Sequence, residues 1–281
     1  MNAISVVMAV YNTENTIAEA IESILNQSFS DFEFIIVNDG STDNTRSVVC
    51  SYNDKRIRLI DNTHDYIQSL NTGMKASTGK YIARMDADDI CHIDRLKIQH
   101  TIMEAFPEIT VCCSWMNIFG ENVPEITVKQ PYAGIVEHPL VHLLTGDFVI
   151  NPTAMIKSSF LKEHNLLYED YTYAEDYKFW IEAARMDAVF YVESQPLIYR
   201  RVSDSQVTNK YRDIQKETTS LLIKETFSLI CHKYGNYHSL KSFCNALYDL
   251  LDQQMITEKE MTGMFHSLFL KNREKFDVHQ K

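Results

Sequence analysis

Three carboxylates fall within four residues in Asp86-Ala87-Asp88-Asp89, directly after an expected strand, Lys80–Met85. Like charges that close repel, and the repulsion is relieved by a cation or a donor-rich ligand. Hard oxygen ligands suit Mg²⁺ or Mn²⁺, which bind through one or two carboxylates and complete their shell with substrate phosphates. Arg84 lies two residues before Asp86, so a strand directs both side chains to one face. The plainer alternative is a solvated acidic turn. A second constellation is Asn38-Asp39-Gly40-Ser41-Thr42-Asp43, reached from the apolar run Phe32–Val37. Gly40 permits a tight turn there, and Ser41 and Asp43 are N-cap candidates for a following helix. The alternative is an ordinary strand–turn–helix with Asp39 as a turn residue. The third is Glu175-Asp176, at the start of a helix carrying Trp180. Its alternative is simple capping, since acidic side chains are favoured at helix N-termini.

Several other patterns carry no chemistry. Gly79-Lys80 resembles the end of a phosphate-binding loop, but Met74 stands where its first glycine belongs and Tyr81 replaces the Ser/Thr. No GxGxxG follows a strand, which argues against a dinucleotide-binding oxidoreductase. His138 and His142 are four apart, but Pro139 interrupts them and no Glu adjoins, so zinc is not expected. Cys112-Cys113 has no ligand spacing.

The elements that must position the carboxylates alternate strand and helix over the first 90 residues. Ile4–Tyr11 is a near-continuous apolar run, as in a strand buried on both faces. Residues 15–27 place Ile17, Ala20, Ile21, Ile24 and Leu25 on one helical stripe. Strands follow at 32–37, 56–60 and 80–85, with helices over 43–52 and 66–77, the latter ended by Gly79. Short connections of this kind imply right-handed crossovers and a mostly parallel sheet, with ligands at the carboxyl ends of strands. Asn12, Asp39 and Asp86 all fall at such ends. Beyond residue 90 a helix is expected at 93–106, strands at 110–118 and 122–130, a helix at 175–186, and closing strands at 188–192 and 197–203. The chain then turns helical. Thr257-x-x-Glu260 is a capping box opening a helix with Met261, Met264, Phe265, Leu268 and Phe269 on one stripe.

The 281-residue chain has a formal net charge of −11, which argues against a general basic surface for nucleic acid. Residues 1–208 hold 16 Lys/Arg against 29 Asp/Glu, and residues 209–281 hold 11 against 9. No apolar run approaches the roughly 20 residues of a membrane span, and no secretory signal is apparent. The six cysteines lack CxxC pairing and read as free thiols of a reducing, cytoplasmic compartment.

Together these residues resemble the inverting glycosyltransferases of family 2. Val6 to Asn12 resembles the family's opening strand, and Glu14 with Ile21 to Gln27 its first helix. Asn38 to Asp43 matches its second-strand turn. Leu70-Asn71-x-Gly73, Ala76-x-x-Gly79 and Tyr81 to Asp89 match the approach to its DxD motif, and Glu175-Asp176 before Trp180 matches its acidic pair. The resemblance covers residues 3 to about 208. It implies a GT-A type fold, an α/β, Rossmann-like mixed and mostly parallel sheet flanked by helices. Residues 1–208 would form the transferase domain and residues 209–281 a C-terminal helical extension.

Carried over by position, Ala9, Tyr11, Asn12, Glu14, Asn71, Arg84 and Ala87 belong to the nucleotide-sugar pocket. Asp39 accepts the N3–H of uracil, which favours UDP. Asp86 contacts the ribose, Asp88 binds Mn²⁺ or Mg²⁺, and Asp176 is the general base, with Glu175 the poorer candidate. The implied partners are a UDP-sugar donor and a saccharide or lipid-linked saccharide acceptor, in surface polysaccharide biosynthesis. The chain departs from the family at Leu70, where many relatives carry Arg, with Arg84 as a substitute cation. It departs again at Ser203, where His is expected, and at Asn151-Pro152-Thr153, an acceptor-side segment often led by His. A sugar nucleotidyltransferase would show a Gly-rich basic loop near the N-terminus, which residues 9–16 lack. A nucleotide-sugar-binding domain without catalysis would differ by forming no product. The C-terminal helices either pack on the body or make a homodimer or inner-membrane-surface contact, for which Lys271, Arg273, Lys275 and Lys281 supply positive charge.

Overall fold

A computed structural model describes residues 2–120, 123–202, 211–233 and 238–272. Ser203 and the basic residues Arg273, Lys275 and Lys281 lie outside the described residues. Strand and helix alternate at the start: β1 (Ile4–Val10), α1 (Ile17–Leu25), β2 (Phe32–Asn38), α2 (Thr45–Ser51), β3 (Ile57–Asp61), α3 (Tyr66–Ala76) and β4 (Tyr81–Met85). The middle holds β5 (Ile90–Cys91), α4 (Arg95–Ala105), β6 (Val111–Gly120), β7 (Val123–Val128), β8 (Gly134–Val136) and α5 (Pro139–Leu143). A 3₁₀ turn (Asn151–Thr153), β9 (Met155–Lys157), α6 (Ser158–His164), α7 (Glu175–Arg185) and β10 (Phe190–Arg201) follow. The helices α8 (Arg212–Lys233), α9 (His238–Asp252) and α10 (Glu258–Lys271) come last.

The strands form one ten-stranded sheet whose main path is β3-β2-β1-β4-β9-β6-β10-β5. The strands β1 to β4 are mutually parallel wherever they pair, as alternation with helices requires. Beyond β4 the sheet is mixed. β9 runs antiparallel to both β4 and β6 and joins the two halves. Only three residues long, it leaves no periodic signal in the sequence. The two closing strands expected at 188–192 and 197–203 are one strand, β10. Its register against β6 shifts between Glu193 and Pro196 and again before Ile198, because Pro196 has no N–H for the ladder.

Both faces of the parallel strands β1, β2 and β4 are buried, whereas β3 is a partly exposed edge. Val6, Met8, Phe34 and Ile36 pack with α1 and α4, while Val7, Ile35 and Val37 face α3 and the core beyond it. That second core continues through Phe179, Trp180 and Phe190 to Leu222, Phe227, Leu247, Met261, Phe265 and Phe269 of the last three helices. The apolar stripe of α10 is therefore covered by the body, apart from the exposed Met264. The Thr257–Glu260 capping box is formed, with both reciprocal hydrogen bonds present. The helix over 66–76 ends at Ser77 rather than at Gly79. Gly79 serves close approach instead: a Cβ there would lie 2.6 Å from the backbone nitrogen of Ser5. Five of the cysteines are described and all are free thiols. No described helix is long and apolar enough to cross a membrane.

Candidate active site

The carboxyl ends of β1, β2 and β4 are adjacent because these strands pair in register, and this places Asn12, Asp39 and Asp86 on one edge. Asp39 is buried, 1% exposed. Its backbone N–H donates to the carbonyl of Val10 at 2.8 Å, which ties the two loops together. Oδ1 accepts from the backbone N–H of Asp65 at 2.8 Å and from the Ser69 hydroxyl at 2.7 Å. Oδ2 lies 3.1 Å from His64 Nδ1. Tyr11 sits beside it, its ring stacked on that of His64.

The neighbouring pocket residues hold the loops in place. Asn12 adopts a left-handed backbone, φ 50°. Its Oδ1 accepts from the Thr42 N–H at 2.8 Å, and its own N–H donates to Ser41 Oγ at 3.1 Å. Neither N-cap candidate takes that position, since the N-cap of α2 is Asn44 without a side-chain cap: Ser41 serves the β1 loop, and Asp43 Oδ1 accepts from the Thr45 N–H at 2.9 Å from one residue ahead of the cap. Glu14 accepts from the backbone and side-chain nitrogens of Asn44 at 2.9 and 2.8 Å. Asn71 clamps Tyr168, exchanging hydrogen bonds with its carbonyl and its N–H, both at 2.9 Å. Ala9 is half-buried, and Ala87 is buried with its carbonyl taken by the Thr16 hydroxyl at 3.1 Å. Leu70 is in the core, 1% exposed.

At the end of β4, Arg84 is 4% exposed and pairs with Asp86 Oδ1 at 2.9 Å. The same guanidinium donates to the Tyr66 hydroxyl at 2.9 Å and to the carbonyl of Met85, and its Nε has no partner. Asp86 and Asp88 are half-buried, and Asp89 is buried. Asp89 Oδ1 accepts from the Arg201 N–H at 3.1 Å, while its buried Oδ2 is unpartnered. Burial, with the charges of Asp86 and Asp88 added, holds the Asp89 carboxyl well above the usual range. Arg201 also donates through Nε to the Asp88 carbonyl at 3.1 Å and pairs with Glu19.

Among the described residues, no three His, Cys, Asp or Glu side chains are grouped to hold a metal ion. The donor set of half-buried Asp86 and Asp88 with an unsatisfied Asp89 oxygen does not form an all-protein cage. It does fit a divalent cation that takes most of its shell from substrate phosphates and water.

A second acidic group comes from the N-terminus of α7, where Glu175 and Asp176 stand in the first turn. Glu175 is pushed up to about 7, first by burial and then by the charge of Asp176. Asp176 is raised by burial and by the charge of Asp86, with its Oδ1 accepting from the Tyr177 N–H at 2.7 Å. The charges of Arg84 and Asp86 act on both residues, so the fold brings the DxD end of β4 and the acidic pair together across about 90 residues of chain. Tyr168 joins them: buried, it also faces Arg84, and its hydroxyl donates to Asn151 Oδ1 at 3.1 Å.

Sequence reasoning missed four residues here. Tyr66, Tyr168 and His64 have no motif of their own. Asp147 stands on the loop after α5, where only Gly146 hints at a special turn. It is exposed at the surface, yet neighbouring protein atoms and the charge of Asp176 raise its carboxyl. A supporting layer was also missed. Buried Arg95 donates to the Arg84 carbonyl at 2.8 Å and to Gln99 Oε1 at 3.0 Å. Gln99 Nε2 in turn donates to the carbonyls of Cys112 and Thr153, each at 2.8 Å. Two polar residues four apart on the apolar stripe of a helix were the available signal.

The family model described as Glycosyl transferase family 2 matches residues 5–164. An uncharacterized glycosyltransferase of Haemophilus influenzae is 34% identical over 99% of this chain and 93% of its own length. The Escherichia coli UDP-Glc:alpha-D-GlcNAc-diphosphoundecaprenol beta-1,3-glucosyltransferase WfgD is 26% identical over 76% of this chain and 83% of its own. Among solved structures, S. aureus TarS 1–349 in complex with UDP-GlcNAc superposes with a TM-score of 0.67 at 21% identity, covering 81% of this chain. The chain spans 66% of that fragment, just under two thirds. The fold is thus of GT-A type, as in that neighbour. A match that begins inside β1 and runs through the strand-end carboxylates to α6, with a relative similar along the whole chain, places this glycosyltransferase in glycosyl transferase family 2.

Proposed function

We propose that the protein transfers a sugar from a UDP-sugar to a hydroxyl of a saccharide or lipid-linked saccharide, with inversion at the anomeric carbon and with Mn²⁺ or Mg²⁺ bound at Asp88. The observation that carries this is the convergence on Arg84 and Asp86 of the strand-end loop and the Glu175–Asp176 pair. A donor-binding edge then faces a carboxylate wall across one cleft. UDP is the favoured nucleotide because the buried Asp39 presents an acceptor oxygen at the β1/β2 edge. The relative WfgD is named for a UDP-Glc donor and a lipid diphosphate acceptor, which supports the same pairing here.

The acceptor hydroxyl is a weak nucleophile and needs a base within hydrogen-bond reach of its proton. Asp176 takes that proton as the oxygen attacks the anomeric carbon from the face opposite the diphosphate. Its raised proton affinity makes it a stronger base than an exposed carboxylate. One displacement inverts the centre, and it requires no covalent enzyme intermediate. Arg84 holds Asp86 toward the ribose side of the cleft, and Tyr66 and Tyr168 enclose the guanidinium. A divalent cation at Asp88 would offset the negative charge that develops on the departing diphosphate. Residues 1–208 carry this chemistry, and residues 209–281 brace it. A lipid-linked acceptor would place the reaction at the inner face of the cell membrane, in surface polysaccharide synthesis.

The test is a panel of UDP-sugars with a GlcNAc-diphospholipid acceptor and Mn²⁺, followed by UDP release and product mass. Asp176→Asn is expected to lower turnover about 10²–10⁴-fold while UDP binding persists. Full turnover in Asp176→Asn would remove the assignment of the base.

A further inference from the structure

His64 bears on the nucleotide pocket, although nothing in the sequence pattern marks it. Its imidazole stacks on Tyr11 with ring centroids 4.0 Å apart and planes 21° from parallel. The same ring places Nδ1 3.1 Å from Asp39 Oδ2 and 3.2 Å from the Asp39 carbonyl. Two acceptors face that nitrogen, so it carries the proton and donates.

One planar ring thus makes two contacts at once, a stack on Tyr11 and an N–H donated to Oδ2 of a buried carboxylate. Asp39 Oδ1 is already committed to the Asp65 N–H and the Ser69 hydroxyl. Among the described residues, Oδ2 has no other donor. The two partners differ sharply in exposure: the His64 side chain is 61% exposed and that of Asp39 2%. The carboxylate is fixed, and the imidazole lies over it as a cover. Gly40, with φ +74°, lets the His64 loop lie this low, since a Cβ there would approach the His64 nitrogen to 3.2 Å.

A third ring cannot enter this stack without moving His64, because two stacking intervals need about 7 Å between the outer rings. A pyrimidine with a ring N–H can make both of the contacts that the imidazole makes. We propose that His64 is a displaceable occupant of the nucleobase site, and that an incoming uracil takes both the Tyr11 face and Asp39 Oδ2 from it. The inference rests on the assignment of Asp39 to the base. Its consequence is thermodynamic. Apparent affinity for the nucleotide is the intrinsic affinity multiplied by the fraction of molecules in which His64 has swung away.

Calorimetric titration of the full chain with UDP in Mn²⁺ tests this, using His64→Ala, Asp39→Asn and the double variant. His64→Ala is expected to tighten UDP roughly three- to tenfold, because no cover need be displaced. Binding of Mn²⁺–pyrophosphate, which has no base, is expected to be unchanged. Asp39→Asn is expected to weaken UDP in both backgrounds, since the Asn carbonyl must serve Asp65 and Ser69, leaving its NH₂ where the acceptor was. If Asp39→Asn weakens UDP but His64→Ala leaves it equal or weaker, His64 is no cover and the proposal falls alone. Equal tightening of UDP and pyrophosphate would also overturn it, since the effect would then lie outside the base site. If Asp39→Asn leaves UDP affinity unchanged, the assignment of Asp39 to the base falls, and the His64 proposal with it.

Discussion

Glu175 and Asp176 are adjacent carboxylates at one helix end, and burial sets them apart from the surface acids of this chain. Glu175, held at about 7 by burial and by Asp176, binds a proton in the folded state at pH values where the unfolded chain has released it. Stability contributed by this group is therefore present at low pH and is lost as pH rises from the unfolded value of 4.5 through about 7. Glu175→Gln is expected to raise stability at pH 8 by about 2 kcal/mol, allowing for partial solvent access, and to change it little at pH 4.5. Thermal melts of both proteins at the two pH values check this. The motif residues Asp39, Asp86, Asp88 and Asp176 were legible because each follows an element boundary with a recognisable pattern. His64, Tyr66, Asp147 and Tyr168 were not, because their place depends on how separate loops fold over those strand ends. Leu70 shows the limit in the other direction. Its alignment with a family cation drew attention, yet its side chain lies in the core and the nearby guanidinium comes from Arg84 on β4.

Strands with unbroken apolar runs and helices with clear stripes were readable to within a few residues, since burial on one or two faces writes its period into the sequence. β9 and the continuity of β10 were not, because a three-residue strand has no period and Pro196 mimics a break. Neither could periodicity show how α8 meets the site. Tyr173 adopts a left-handed backbone, φ 61°, one residue before the N-cap of α7. Gln215 Nε2 of α8 donates to its carbonyl at 2.9 Å. Tyr211, just ahead of α8, stacks on the Tyr173 ring with centroids 4.4 Å apart. A strained conformation persists only where its surroundings hold it, so this contact sets the approach to Glu175 and Asp176. Gln215→Ala and Tyr211→Ala are each expected to lower kcat about three- to tenfold, since small misplacements of reacting groups are costly. Their UDP affinity is expected to stay within about twofold, because the hydrogen bonds of Asp39 go to Val10, His64, Asp65 and Ser69 and not to α7. Steady-state kinetics beside UDP titration separates the two effects. Equal losses in kcat and UDP affinity would mean that α8 supports the fold at large and not the acidic pair.

Across the whole molecule, the proposed function sets a negatively charged diphosphate against an acidic body. The chain carries a net charge of −11, and Asp86, Glu175 and Asp176 lie close enough to act on one another. Arg84 is buried beneath them and already paired with Asp86. Under the proposed function a nucleoside diphosphate needs added positive charge to bind there, and a divalent cation at Asp88 would supply it. The decisive measurement is calorimetric titration of UDP into the full chain with Mn²⁺ and with EDTA, repeated on Asp88→Ala. Binding by the wild-type chain that requires Mn²⁺, and a loss of at least about tenfold, or 1.4 kcal/mol, in Asp88→Ala are predicted. UDP affinity that is indifferent both to Mn²⁺ and to Asp88→Ala would contradict the metal-assisted donor site.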